Sequence, residues 1–241
     1  MISVERLTKR FGTFTALDDV SFTVRPGEVF ALLGPNGSGK TTTLKSIVGL
    51  NRPTSGRVLV DGVDLHRFPR EAKQHLSYLP QRVSFPESLT AREVIRFYAQ
   101  VRNLPRAVAD DVLSRANFNG ASDKLVSEFS GGMVQRLALA VVSMPDAPVL
   151  LLDEPTASLD PVGVKRFRDF ILELKARGKT IVFSTHLLPE VEQLADRAGI
   201  FVGGSLVAVE SIENLRRSFD NNGTIEDMYL HYVGKADHER R

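Results

Sequence analysis

One short stretch, GPNGSGKT at residues 34–41, constrains the fold more than any other part of the sequence. It matches the pattern G-x-x-x-x-G-K-[ST]. It directly follows the continuous apolar run VFALLG and directly precedes TTTLKSIVGL, which is typical of a helix. A glycine-rich loop between a buried strand and a helix presents backbone N–H groups to phosphates. The stretch therefore predicts a phosphate-binding loop in a parallel α/β fold.

The residues of this loop have distinct expected roles. The glycines allow the backbone to wrap around the β- and γ-phosphates, Lys40 adds a point charge and is a candidate catalytic residue, and the Thr41 hydroxyl is an expected ligand of Mg²⁺. The alternative, an ordinary glycine-rich turn, is disfavoured by the flanking strand and helix. The candidate nucleotide-binding residues of the loop are Gly34, Pro35, Asn36, Gly37, Ser38, Gly39, Lys40 and Thr41.

A second apolar run, VLLLDEP at 149–155, contains two adjacent acidic residues. A buried strand would bring Asp153 and Glu154 to the carboxyl end of the sheet, where α/β proteins bind their ligands. Adjacent strand residues point to different faces, so the two should differ in role. We expect Asp153 to orient Mg²⁺ through water, and Glu154 to accept a proton from the attacking water or to position it. The alternative is a strand-end turn with solvated acids.

The composition narrows the class of protein further. With 241 residues and 42% apolar side chains, the chain can form one substantial core, or one core and a small subdomain. Its 31 Lys and Arg against 29 Asp and Glu, with no long block of like charge, give no sign of a nucleic-acid partner. The sequence has no cysteine, no signal-peptide pattern and no apolar run near the ~20 residues of a membrane span, so we expect a soluble chain.

Hydrophobic patterns separate two kinds of strand. Alternating apolar residues predict half-exposed antiparallel strands, and continuous apolar runs predict strands buried on both faces. The alternating runs are 20–24 and 56–62, and the continuous runs are 29–34, 149–155 and 180–186. Helical spacing occurs at 90–101, 106–118, 131–144 and 161–179. Thr90 is the expected N-cap of the first of these helices, because Glu93 follows three residues later.

These patterns together predict an α/β fold. It should combine a parallel phosphate-loop core, an antiparallel β-subdomain mostly before residue 85, and a helical subdomain at about 86–145. With FSGG at 129–132 added, the segments resemble the nucleotide-binding subunit of ATP-binding cassette (ABC) transporters, and the resemblance runs from about Ile2 to Val209. It implies ATP hydrolysis with Mg²⁺ as cofactor. We expect the ABC ATPase domain at 1–218, and a short C-terminal helix and tail at 219–241.

The resemblance assigns roles to five further residues. It implies that Phe11 stacks on adenine, that Thr42 contacts phosphate, and that Gln81 reaches Mg²⁺ and the attacking water as a catalytic residue. It also implies that His186 contacts the γ-phosphate as a catalytic residue and that Asp160 lies in a loop crossing the subunit interface. Without the resemblance, Phe11 would read as a core residue, Gln81 as a surface residue and His186 as a structural one.

The FSGG segment at the start of the predicted helix 131–144 is a second turn suited to an anion, in addition to the phosphate loop. The resemblance explains why one chain would carry both. In the ABC family two cassettes pack head to tail, so Ser130, Gly131 and Gly132 are implied to bind the γ-phosphate of the nucleotide held by the neighbour. A single copy would leave its site half built. Phe129 replaces the usual Leu of this signature and Met133 replaces the usual Gln, which puts a contact from position 133 to the nucleotide in doubt.

The resemblance also implies partners. We expect an integral membrane permease subunit and a second copy of the chain or a similar cassette, at the cytoplasmic face of the cell membrane. The segment 84–105 resembles exporter-type cassettes, and YLPQRVSFPESLTAREV at 78–94 resembles cassettes that serve copper delivery to nitrous oxide reductase. Two alternatives stay open: gating of a membrane complex without transport, and a soluble cassette that drives iron–sulfur scaffold assembly.

Overall fold

The computed structural model describes residues 1–116, 118, 120–214, 226 and 229–234. In chain order the strands are β1 Ile2–Phe11, β2 Phe14–Val24, β3 Val29–Leu33, β4 Ser55–Val60, β5 Val63–Asp64, β6 Leu76–Leu79, β7 Val149–Asp153, β8 Thr180–Thr185, β9 Arg197–Val202 and β10 Ser205–Ser211. The α-helices are α1 Lys40–Ile47, α2 Pro69–Gln74, α3 Ala91–Val101, α4 Arg106–Ala116, α5 Gly131–Ser143, α6 Pro161–Ala176 and α7 Leu188–Leu194.

The described strands form two sheets of different kinds. One sheet is antiparallel, with the strand order β2-β1-β4-β5. The other has the order β10-β9-β3-β8-β7-β6, and its strands from β9 to β6 are parallel to one another. Strand β10 pairs antiparallel with β9 at one edge. The prediction of an α/β fold with a parallel core and an antiparallel β-subdomain is therefore confirmed.

Strand β3 lies between two hydrophobic cores. Its residues Val29, Ala31 and Leu33 belong to the main core, whereas Phe30 and Leu32 belong to a second core between the two sheets. This division follows from the period of two along a strand, because successive side chains point to opposite faces. All five residues are buried, as the continuous apolar run predicted. The phosphate loop that follows β3 is therefore anchored from both sides.

The helical region stands between β6 and β7 and contains α3, α4 and α5. Thr90 caps α3 as predicted: its Oγ1 accepts from the Glu93 backbone N at 3.2 Å, and the Glu93 carboxylate accepts from the Thr90 backbone N at 2.8 Å. This reciprocal pair satisfies backbone donors that a helix start leaves free. Buried residues of all three helices contribute to the main core, so the helical region packs on the parallel sheet.

The C-terminal part of the chain is described in pieces. Residues 229–234 are helical, and Tyr229, Tyr232 and Val233 pack against the main core. The other residues of the predicted C-terminal segment, 219–225, 227–228 and 235–241, lie outside the described residues. Within the described ranges, no helix combines the length and the apolar character needed to cross a membrane.

Candidate functional site

The phosphate loop connects β3 to α1 at the carboxyl edge of the parallel sheet. Gly39, at the N-cap of α1, has a φ of 107°, and a Cβ there would lie 2.7 Å from Leu17 Cδ2. A Cβ on Gly34 would lie 2.4 Å from the carbonyl oxygen of Phe201. Both positions therefore require glycine. Gly39 needs it for its backbone conformation and for the close contact with Leu17, and Gly34 needs it because its backbone approaches that of Phe201 closely. The loop is held tightly against strands β2 and β9.

Lys40 lies across this loop rather than extending into solvent. Its Nζ donates to the carbonyl oxygens of Gly34 at 2.7 Å and Pro35 at 3.0 Å, and it lies 3.7 Å from Glu154 Oε1. The side chain is only 4% exposed. Burial lowers the pKa of Lys40, and the charges of Glu154 and Asp153 oppose that effect. The ammonium group thus joins the loop to the acidic end of β7.

Asp153 is fully buried and accepts hydrogen bonds from three elements. Its Oδ1 accepts from Thr41 Oγ1 at 2.9 Å and from Ser184 Oγ at 2.7 Å, and its Oδ2 accepts from the Tyr78 hydroxyl at 3.5 Å. Burial, with the charge of Asp153 next to it, raises the pKa of the Tyr78 hydroxyl, which stays protonated as a donor. The carboxylate therefore connects α1, β6, β7 and β8.

Glu154 follows Asp153 in an unusual backbone conformation. Its φ is 46°, which a residue with a side chain rarely adopts, and its backbone N donates to Ser184 Oγ at 2.9 Å. Its carboxylate lies between two basic groups, with Lys40 Nζ on one oxygen and His186 Nδ1 at 3.4 Å from the other. Glu154 is 8% exposed and His186 is 43% exposed, so the pair lies at the boundary between core and solvent.

The other sequence-predicted residues of the loop and of the start of α1 differ in exposure. Pro35, Asn36 and Gly37 are exposed at the tip of the loop, whereas Ser38 is buried and its hydroxyl has no hydrogen-bond partner among the residues that the structure describes. Thr42 is part of α1, where its carbonyl oxygen accepts from Ser46 Oγ at 2.8 Å. A buried hydroxyl without a protein partner inside a phosphate loop is a polar group that a phosphate could satisfy.

Phe11 and Gln81 are not brought into contact with the acidic residues. Phe11 ends β1, is 49% exposed, and has Lys9 Nζ 4.7 Å from its ring centroid. Gln81 is exposed two residues beyond β6, and the structure gives its side chain no hydrogen bond to the carboxylates of Asp153 or Glu154. Both side chains are accessible, and neither contributes to the buried network.

The Ser-Gly-Gly turn belongs to a second group of residues. Ser130 is the N-cap of α5, and its Oγ accepts from the Met133 backbone N at 3.3 Å. Asp160 caps α6 in the same way, accepting from the Gly163 backbone N at 2.7 Å. The turn and Asp160 line one cavity of about 1040 Å³ between α4, α5 and α6, and none of residues 34–42 lines it. In one chain, therefore, the predicted site residues form two separate groups.

Helix α5 nevertheless contacts the segment that follows Glu154. The buried side chain of Gln135 donates through Nε2 to the Pro155 carbonyl oxygen at 2.8 Å. Met133, which replaces the usual Gln of the signature, is partly buried and packs against the main core. Met133 thus packs against the core and also lines the cavity of the Ser130 turn, and Gln135 links the signature helix to the segment after the acidic residues.

Three of the residues that organise the site were missed from the sequence. Ser184 lies opposite Asp153 in the pairing of β7 with β8, and Tyr78 lies on β6 beside β7. Glu190 accepts hydrogen bonds from Thr156 and Thr185, which flank the acidic residues and His186. Strand order would have identified Ser184 and Tyr78, because they come into contact only when β6, β7 and β8 are neighbours.

The fold and this geometry define a phosphate-loop nucleotide-binding protein with a helical subdomain. The sequence model of the family described as "ABC transporter" matches residues 17–157, which is more than half of the chain. A second model, described as "AAA domain, putative AbiEii toxin, Type IV TA system", matches residues 125–191.

Known proteins agree with the first match. The chain is 36% identical over 247 residues to the probable multidrug ABC transporter ATP-binding protein YbhF of Escherichia coli K12; the match covers 99% of this chain and 43% of that protein. A solved structure titled "Structure of ATP binding subunit of ABC transporter" is 29% identical, with a TM-score of 0.86, covering 96% of this chain and 99% of that one. The chain spans less than half the length of YbhF.

A third comparison adds a solved dimer. The structure titled "Dimeric Structure of MJ0796, a Bacterial ABC Transporter Cassette" is 25% identical, with a TM-score of 0.80, and the match covers 88% of this chain and 99% of that one. On the family match and these similarities, the chain belongs to the ABC transporter family, among its ATP-binding subunits.

The contacts of Ser184 lead to a stability prediction. Ser184→Ala should lower the free energy of unfolding by about 1–3 kcal/mol, because it leaves the Glu154 backbone N–H without its acceptor and removes one donor from Asp153. Ser77→Ala is the matched control: Ser77 is equally buried on β6, but its hydroxyl has no partner among the described residues. Urea unfolding followed by circular dichroism compares the two, and equal effects would contradict the assignment.

Proposed function

We propose that this ATP-binding subunit hydrolyses ATP at the carboxyl edge of its parallel sheet. The observation that carries the proposal is the placement of Lys40 and His186 on the two oxygens of one buried carboxylate, Glu154, next to the phosphate loop. Phosphoryl transfer requires charge stabilisation, and it requires a group that orients the attacking water. The loop and Lys40 supply the first, and Glu154 supplies the second.

Binding of ATP would change the contacts of the loop. Lys40 now donates to carbonyl oxygens of its own loop, and phosphate oxygens are stronger acceptors for its ammonium group. The hydroxyl of Ser38, which has no partner within the described part of the chain, offers a further donor inside the loop, and Thr42 offers a further phosphate contact. The exposed ring of Phe11 is available to stack on adenine. These features fit a nucleoside triphosphate.

Glu154 and His186 act on the water and the terminal phosphate in this proposal. Glu154 positions the attacking water or accepts its proton, and Lys40 Nζ lies 3.7 Å from one of its carboxylate oxygens. His186, which is partly exposed next to Glu154, contacts the γ-phosphate. Gln81 lies at the exposed end of β6, where it is free to approach the same water.

The residues present also fit Mg²⁺. Thr41 Oγ1 and Asp153 Oδ1 lie 2.9 Å apart, and hydroxyl and carboxylate oxygens are suitable ligands for this ion. Thr41 would hold it directly, Asp153 through water, and Gln81 from the strand end. When bound, the ion neutralises charge on the phosphates.

We further propose that two cassettes complete each site. Ser130, Gly131, Gly132 and Asp160 lie apart from the phosphate loop of their own chain, and the turn stands at the start of a 13-residue helix. A helix start favours an anion, so a turn that does not serve its own loop is suited to the nucleotide of a neighbour. The dimer known for the similar cassette MJ0796 supports this arrangement.

The coupled process requires another protein. We propose a membrane-spanning permease partner of the exporter type, which places the cassette at the cytoplasmic face of the membrane. The name of YbhF, a probable multidrug transporter subunit, supports a transport role. A narrower proposal, service to copper delivery for nitrous oxide reductase, rests on the single stretch 78–94. Two other functions, gating without transport and iron–sulfur scaffold assembly, would use the same ATPase.

Removal of the loop cation should weaken nucleotide binding. In Lys40→Ala we expect the dissociation constant for ATP, measured by titration calorimetry, to rise at least about tenfold, because a charge-assisted contact to the phosphates is lost. Lys45→Ala removes a lysine from the last turn of the same helix and should leave the affinity unchanged. Equal affinities in the two variants would count against the loop assignment.

Removal of the proposed base should trap the closed dimer. We expect Glu154→Gln to slow ATP turnover on the order of 100-fold and to sediment as an ATP-dependent dimer, because nucleotide remains uncleaved between two cassettes. Adding Ser130→Asp keeps the helix cap but places a negative charge against phosphate, so this double variant should stay monomeric with ATP. Ser130→Asn in the same background is the neutral capping control, and an Asp variant that dimerises as well as Glu154→Gln alone would contradict the shared site.

Purification from the native source distinguishes the proposed partners. We expect the full chain, tagged and extracted in mild detergent, to copurify with a multi-span membrane protein. Recovery with a soluble scaffold protein, and with no membrane protein, would contradict the transport proposal.

A further inference from the structure

Glu190 is a buried acidic residue that the proposed chemistry does not use. It lies on α7 and is 7% exposed. Its two carboxylate oxygens accept from different residues: Oε1 from the Thr156 hydroxyl, and Oε2 from the Thr185 hydroxyl at 2.7 Å. No Lys, Arg or His nitrogen of the described chain forms an ion pair with it. A buried carboxylate without a cation is unfavourable unless its hydrogen bonds are made, so the two threonines decide whether this side chain is tolerated.

The two threonines belong to two different parts of the site. Thr185 is the last residue of β8 and directly precedes His186. Its hydroxyl also accepts from the Leu187 backbone N at 3.0 Å, so it spans His186 and directs its own proton to Glu190. The orientation of the chain on both sides of His186 therefore depends on the bond from Thr185 to Glu190.

Thr156 belongs to the segment that connects Glu154 to Asp160. Turn hydrogen bonds make this segment continuous: the Ala157 backbone N donates to the Glu154 carbonyl oxygen at 3.3 Å, and the Leu159 backbone N donates to the Thr156 carbonyl oxygen at 3.0 Å. A displacement of Thr156 would therefore be passed to Asp160, the next residue after Leu159. Through Thr156 and Thr185, Glu190 joins this segment to the one that carries His186.

We propose that Glu190 is a positioning residue that fixes the His186 segment relative to the segment leading to Asp160. The proposal rests on the roles proposed above for these two residues. If His186 contacts the γ-phosphate and Asp160 faces the second cassette, Glu190 passes a change at the phosphate to the interface between cassettes. Its effect is on geometry at the reacting phosphate, so it should govern turnover more than nucleotide binding.

The experiment compares turnover with affinity in matched variants. Glu190→Gln keeps the shape of the side chain but replaces one accepting oxygen with a donor, and Thr156→Val removes one hydroxyl without changing the size of the side chain. We expect both to lower kcat for ATP about tenfold while the dissociation constant for ATP changes less than about twofold. Thr156→Ser restores the hydroxyl and should return kcat to near the wild-type value.

A double-mutant cycle tests whether Glu190 acts through His186. If it does, Glu190→Gln should lower kcat much less in a His186→Ala background than in the wild type, whereas independent effects would multiply and contradict the proposal. Wild-type turnover in Glu190→Gln, with a large loss in His186→Ala, would overturn the positioning role and leave the proposed function intact. Unchanged turnover in His186→Ala would contradict the role proposed for His186 and, with it, the role of Glu190, whereas no ATP turnover in the wild-type chain would contradict the proposed function itself.

Discussion

The buried carboxylate of Asp153 is the group on which the site depends. Its oxygens accept from Thr41 on the helix after the phosphate loop, from Ser184 on β8 and from Tyr78 on β6. Since β3, β8, β7 and β6 are successive parallel strands of the sheet, their carboxyl ends lie at one edge, and a side chain at the end of β7 can contact β6, β8 and the helix that follows β3. Complete burial makes these hydrogen bonds necessary, because an unsatisfied buried carboxylate is costly. The phosphate loop is thus connected to the sheet by a polar contact as well as by packing.

The proposed site residues of one chain form two groups that are joined by a short segment. Lys40, Glu154 and His186 form the first, and the Ser130 turn with Asp160 forms the second, lining a separate cavity. Residues 154–160 connect them, and this segment is held from two sides, by Gln135 on its Pro155 carbonyl oxygen and by Glu190 on Thr156. A change in the first group therefore has a direct covalent and hydrogen-bonded route to the second.

Much of this arrangement could be predicted from the sequence, because it depends on local patterns. The apolar run before GPNGSGKT predicted the fully buried β3, and Thr90 with Glu93 predicted the cap of α3. The contacts of Ser184 with Asp153 and of Glu190 with Thr156 could not be predicted, because the partners lie on elements that are distant in the sequence. The contact of Glu190 with Thr185 follows no periodic pattern of the sequence. Ser184 reaches Asp153 only through the pairing of β7 and β8, and a serine within an apolar strand carries no local sign of that role.

The backbone of Glu154 shows why local propensity alone does not form the site. A residue with a side chain at a φ of 46° is strained by about 1–3 kcal/mol, and no sequence preference favours glutamate there. The strain is offset by the tertiary structure: Ser184 accepts from the Glu154 backbone N, and Lys40 and His186 lie on its carboxylate. A glycine would relieve the strain, but it would remove the carboxylate that lies between these two basic groups. The conformation therefore persists because the elements around Glu154 supply the free energy that keeps its carboxylate in this position.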